Sequence, residues 1–166
     1  MILFPIKLPE KTLSENQLNV QPSHKNDFEQ IQQRLKNMIE IDQLEVEIEE
    51  TLLNDANNNC VKLYQEGKFR EALSLANILN QILTKLNNPS LIFRAVLYNN
   101  LGIFYDSLGN LKNAIYYLEN SLALKKDLPF GEFSILMTQN NLILSYLNEG
   151  RLNEAHDQMK SILEKV

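Results

Sequence analysis

The sequence predicts an all-α fold, a solenoid of helical hairpins, and three recurring features predict it. The dipeptide Asn-Asn appears at Asn57-Asn58, Asn99-Asn100 and Asn140-Asn141. Nine residues after the second member of each pair stands a glycine, at Gly67, Gly109 and Gly150. Five residues after each glycine stands an alanine, at Ala72, Ala114 and Ala155. The interval is 42 and then 41 residues, so one structural unit is used three times. A stack of like units buries a continuous core and creates a long surface, and that surface is where function is expected.

The elements follow in chain order. Residues 1–25 hold Pro5, Pro9 and Pro22 and no helical period, which predicts an extended arm. From Asn26-Asp27 an apolar face repeats at helical spacing through Phe28, Ile31, Leu35, Met38 and Ile39, which predicts a lead-in helix over 26–42 with Asn26 or Asp27 as its N-cap. Seven acids and no base lie between Glu40 and Asp55. They read as a solvated helix face, with docking of a basic partner as the alternative.

Residues 43–166 are expected to form the three units, at about 43–88, 89–129 and 130–166. Each unit's glycine interrupts a helical pattern among polar residues, as in Gln65-Glu66-Gly67-Lys68, and so predicts a left-handed C-cap between two helices. Beyond it an inward stripe is expected. It comprises Phe69, Leu111 and Leu152, then the alanines, then Ala76, Leu118 and Met159. Before the glycine, Leu63, Tyr105 and Tyr146 are the matching inward positions. The alanines belong where two antiparallel helices cross most closely. Pro89 and Pro129 divide one hairpin from the next.

Composition sets bounds. With 166 residues and 44% of them apolar, the chain can bury a core of about one domain. Its net charge of −5 and the lack of any basic cluster beyond Lys125-Lys126 argue against nucleic acid as a partner. No apolar run approaches the length of a membrane span, and Met1-Ile2-Leu3-Phe4-Pro5 lacks the basic region of a secretory signal. A lone cysteine, Cys60, forms no internal disulfide. A cytoplasmic protein is the expectation.

The middle unit carries Tyr98, Leu101-Gly102, Tyr105, Ala114 and Leu118, and in this it resembles the tetratricopeptide-repeat family. The flanking units share the frame but have Asn59-Cys60 and Leu142-Ile143 in place of Leu-Gly. The likeness covers roughly residues 44–166. The longer unit, with Asn-Asn-Leu at Asn99-Asn100-Leu101 and Asn140-Asn141-Leu142, is similar to the subgroup typified by kinesin light chain. The resemblance implies a right-handed α-solenoid whose asparagines point into a concave groove and hold a peptide backbone. Chaperone-binding members use Lys or Arg at the groove positions. This chain has none there, so a chaperone C-terminal peptide is not expected as its ligand.

In such a stack the first helix of each hairpin lines the concave side. That placement groups Asn57, Val61 and Tyr64 with Asn99, Ile103 and Asp106, and with Asn140, Leu144 and Leu147. The expected partner-binding groove is Asn57, Asn58, Val61, Asn99, Asn100, Ile103, Asn140, Asn141 and Leu144. A carboxamide both donates and accepts, so it can bracket a peptide unit without needing a charged ligand. Helix-to-helix packing is the competing role for these asparagines.

No catalytic constellation, metal site or cofactor is expected. His24 and His156 read as surface residues, Cys60 as a packed thiol, and no glycine-rich phosphate loop is present. The expected function is a protein-interaction scaffold that binds an extended segment of a protein or peptide partner. The alternative is a structural subunit of a large multiprotein assembly, such as a cytoskeletal one, held by its arm and its open C-terminal end. At that end Phe133, Leu136, Met159 and Leu163 are expected to stay partly uncovered. A partner, a second copy, or the arm through Ile2, Leu3 and Phe4 would cover them.

Overall fold

A computed structural model describes residues 24–39, 50–86 and 88–164. The expected arm up to residue 23, with Ile2, Leu3 and Phe4, and the acids between 40 and 49 lie outside the described residues. Seven α-helices and no strand are found among those described: α1 (His24–Ile39), α2 (Glu50–Gln65), α3 (Phe69–Lys85), α4 (Leu91–Ser107), α5 (Leu111–Asp127), α6 (Glu132–Glu149) and α7 (Leu152–Leu163). The lead-in helix starts at His24, two residues before Asn26.

Within the three glycine-bearing segments the chain folds into hairpins, α2 with α3, α4 with α5 and α6 with α7. Gly67, Gly109 and Gly150 have φ of 77°, 77° and 81°, the left-handed region that a side chain would strain. One hydrogen-bond pattern closes all three helices. Lys68 N–H donates to Leu63 O at 2.9 Å, Asn110 to Tyr105 O at 2.9 Å and Arg151 to Tyr146 O at 2.9 Å. These are the six-to-one bonds of a Schellman cap, which satisfy carbonyls that a helix end otherwise leaves bare. The next helix begins two residues after each glycine, at Phe69, Leu111 and Leu152. Between hairpins, Pro89 precedes Ser90, whose hydroxyl accepts the Phe93 N–H at 3.2 Å and caps α4.

Ala72, Ala114 and Ala155 are completely buried. The crossing is close in the middle hairpin, where a Cβ added to Gly102 would lie 2.5 Å from Leu118 Cγ and 3.1 Å from Ala114 O. The repeat-equivalent pair in the first hairpin is Cys60 and Ala76, both fully buried in one cluster. Side-chain volume is thus exchanged across the crossing: a glycine faces a leucine in one unit, and a cysteine goes with an alanine in the other. Burial also pushes the Cys60 thiol pKa well above its ordinary value.

Each helix from α2 on packs against the next, and α2, α4 and α6 also touch one another in sequence. Among the described residues α1 packs on α3, with Leu35 fully buried and Ile31 half-buried against the core. At the other end the expected inward stripe changes character. Phe69 and Leu111 are half-buried, whereas Leu152 is 64% exposed and Met159 42%. Among the described residues no helix lies beyond α7 to cover them.

Ala114→Leu is expected to lower stability by about 1 to 3 kcal/mol through overpacking at this crossing. Thermal denaturation checks it, and an unchanged melting temperature for both Ala114→Leu and Ala155→Leu would contradict the close-crossing account.

Candidate functional site

Interior-facing amides are unusual in a helical core, because a buried polar group costs free energy unless it is hydrogen-bonded. Here Asn57, Asn99, Asn100 and Asn141 are all fully buried. Asn100 Nδ2 on α4 donates to Asn57 Oδ1 on α2 at 3.0 Å. One unit later Asn141 Nδ2 on α6 donates to Asn99 Oδ1 on α4 at 3.3 Å. Asn99 Nδ2 donates to Asn100 Oδ1 at 3.4 Å, which joins the two rungs into one ladder.

The ladder continues through residues that sequence reasoning did not single out. Thr138 Oγ1 on α6 donates to Asn99 Oδ1 at 3.0 Å. Lys125 Nζ on α5 donates to Thr138 Oγ1 at 2.7 Å, to Ser134 Oγ at 3.2 Å and to Ser134 O at 3.3 Å. Its ammonium also lies 5.3 Å from the centre of the Phe130 ring. Lys125 is fully buried, and burial lowers its pKa from 10.5 to about 8. One signal was available: Lys125 continues the Ala114, Leu118, Leu122 stripe at helical spacing, a cation on an inward face.

A second set of rungs runs nearer the glycine ends of the same helices. Ser107 Oγ on α4 donates to Tyr64 Oη on α2 at 3.2 Å. Ser145 Oγ and Asn148 Nδ2 on α6 donate to Asp106 Oδ1 on α4 at 2.7 and 3.4 Å. Tyrosines then tie each first helix to the preceding hairpin. Tyr105 Oη donates to Asn77 Oδ1 at 3.3 Å, and Tyr146 Oη makes a short bond to Glu119 Oε1. Burial, and then that bond, raise the pKa of Tyr146.

The nine expected groove residues therefore divide. Asn57, Val61, Asn99, Asn100, Ile103 and Asn141 are enclosed, and the four asparagines among them bond to one another across helices, as a packing role requires. Asn58 and Leu144 are half-buried and Asn140 is exposed. The repeat-equivalent positions Tyr64 and Asp106, both half-buried, and Leu147, 42% exposed, form an accessible row on the first helices. Hydrogen bonding in this region is incomplete: Asn57 Nδ2, Asn58 Oδ1 and Asn141 Oδ1 are buried without a partner, and so is the whole amide of Gln139. Gln139 itself is 1% exposed.

Among the described residues no group of His, Cys, Asp and Glu side chains has a metal-holding arrangement. His156 is exposed beside Asp157 on α7. No described helix is long and apolar enough to cross a membrane. The chain matches no protein-family model, no curated protein and no solved structure.

Asn99→Ala removes the acceptor shared by Thr138 and Asn141, and is expected to cost about 1 to 3 kcal/mol in chemical denaturation. Lys125 generates a pH signature. Its folded pKa lies below its unfolded one, so between them the unfolded chain binds more protons and stability rises with pH. Relative to Lys125→Met, the native protein should gain on the order of 3 kcal/mol between about pH 8 and 10.5, and nothing below that window. Taking the difference cancels the opposing titrations of Cys60 and Tyr146. A flat difference across the window would show that Lys125 is not buried as a charge.

Proposed function

We propose that the chain is a protein-interaction scaffold of the tetratricopeptide type, its hairpins wound into a right-handed solenoid in the cytoplasm. It binds an extended segment of a partner protein along the concave face of the first helices. The observation that carries this reading is the pair of ladders. They hold α2, α4 and α6 side by side in fixed register, so that equivalent side chains from three units form one row. A row of that kind suits an extended chain, whose own side chains repeat along its length.

The buried asparagines contribute by fixing the spacing of the row. Direct contact falls to Leu144 and to the repeat-equivalent row Tyr64, Asp106 and Leu147. Leu144 and Leu147 offer apolar anchors, which carry most of the affinity in peptide recognition. Asp106 is the row's carboxylate, already held by Ser145 and Asn148, so it favours a neutral or weakly basic segment.

Affinity purification with quantitative mass spectrometry, using the native chain and Leu144→Glu/Leu147→Glu side by side, tests the reading. A partner recovered by the native chain should be depleted by the double variant. A peptide from that partner should then bind the variant at least tenfold more weakly, roughly 1.4 kcal/mol. Equal recovery and equal affinity with both baits would refute the groove.

A further inference from the structure

The outer face of α7 is the repeat equivalent of a surface already covered within this molecule. On α5, Leu111, Ile115, Leu118 and Leu122 share one helical face, and the last three are buried in a cluster with Leu142, Ile143 and Tyr146 of α6. At the next repeat, 41 residues on, the same positions are Leu152, His156, Met159 and Leu163. Here they face outward, Leu152 at 64%, Met159 at 42% and Leu163 at 74% exposure.

Two polar series continue in the same register. In each rung of the amide ladder the second asparagine of one pair donates to the first asparagine of the pair before it, Asn100 to Asn57 and Asn141 to Asn99. The next acceptor in that series is Asn140, which is exposed. In the tyrosine series the acceptors are Asn77 and then Glu119. The next position is Lys160, on α7.

We propose that this end of the stack docks one amphipathic helix of a partner protein, seated on α6 and α7 as α6 is seated on α4 and α5. The repeat register specifies its chemistry. A carboxamide on the partner donates to Asn140, as Asn141 does to Asn99. Apolar side chains at the next two positions, where α6 carries Leu142 and Ile143, cover Leu152, Met159 and Leu163. Five residues after the carboxamide, where α4 and α6 carry tyrosine, the partner presents Asp or Glu. The reason is that the facing position is a lysine in place of Asn77 and Glu119.

The occupant is a helix because the two interfaces it continues are helix interfaces, and apolar anchors at helical spacing are how such a groove is read. It is not α1, which packs on α3 in the first hairpin. A second copy fits poorly. The equivalent positions on its α2 are Asn58, Asn59 and a fully buried Cys60, with apolar Leu63 set against Lys160.

The probe is a fluorescein-labelled peptide of the sequence 132–149 carrying Tyr146→Glu, titrated with the full chain and followed by fluorescence anisotropy. Saturable binding is expected. It should weaken at least tenfold with Leu163→Glu, an exposed site whose substitution circular dichroism should show to be folded, and measurably with Asn140→Ala. Lys160→Glu should reverse the preference for Glu over Tyr in the peptide. Absence of saturable binding, or binding indifferent to Leu163→Glu and Asn140→Ala, would overturn the proposal. So would binding seen only in the full-length Ile2→Asp/Phe4→Asp variant, which would make the chain's own N-terminal segment the occupant. Sedimentation showing a dimer that Leu163→Glu converts to monomer would assign the face to a second copy and overturn it equally.

Discussion

The hydrogen bond from Asn100 to Asn57, repeated one unit later from Asn141 to Asn99, is the constraint on which the rest of the stack depends. Apolar contacts between helices are non-directional, and a core of Leu and Ile tolerates repacking as long as volume and pattern are kept. A buried carboxamide tolerates much less. Sliding one first helix along the next would break these bonds and leave further amide atoms unpaired, beside Asn57 Nδ2 and Asn141 Oδ1, which have no partner even in the native register, at about 1 to 3 kcal/mol for each lost partner. The ladder selects a single register among several that hydrophobic burial would accept. The capping glycines then set each second helix against its own first helix, and the alanines let the two approach.

Lys125 closes one end of this network with a charge that has hydroxyls, one carbonyl and an aromatic face as partners. A buried ammonium without a carboxylate is costly, and three donated hydrogen bonds offset only part of the desolvation. Its geometric effect is clearer than its energetic one. Lys125 lies on α5, Ser134 and Thr138 on α6, and Thr138 passes the chain of bonds to Asn99 on α4. One lysine thereby fixes the angle between the second hairpin and the third, at the point where the connection through Pro129 and Gly131 would otherwise leave it to the loop.

What was legible in the sequence follows from how local its cause is. The three glycines, the alanines five residues on and the packed thiol of Cys60 were readable because each is imposed by the geometry of one turn or one crossing. The period of the asparagine pairs was equally plain. Their direction was not, because whether an amide is enclosed depends on the neighbouring unit. Asn57 and Asn140 hold the same place in the repeat, yet Asn57 is fully buried and Asn140 exposed, and the difference is that α4 lies over the first. Both members of the middle pair are enclosed because a unit flanks it on each side. The Lys125 contacts were beyond a sequence reading for the same reason: Ser134 and Thr138 reach it only once the third hairpin has docked.

The same logic separates the two ends of the stack. Ile115, Leu118 and Leu122 are buried and their repeat equivalents are exposed, and the residues change along this face. Ile115 becomes His156 and Glu119 becomes Lys160, while Leu111, Leu118 and Leu122 become Leu152, Met159 and Leu163. A face meant only to meet water would be expected to turn polar throughout, as terminal repeats usually do. Here one position has become polar, one has exchanged a carboxylate for an ammonium, and three have stayed large and apolar. Two polar groups within an apolar stripe make the face less prone to indiscriminate association, and they give it direction. A leucine-rich surface alone would accept a helix in either orientation. With Lys160 beside Met159 on α7 and Asn140 on the adjoining helix, only one orientation satisfies both.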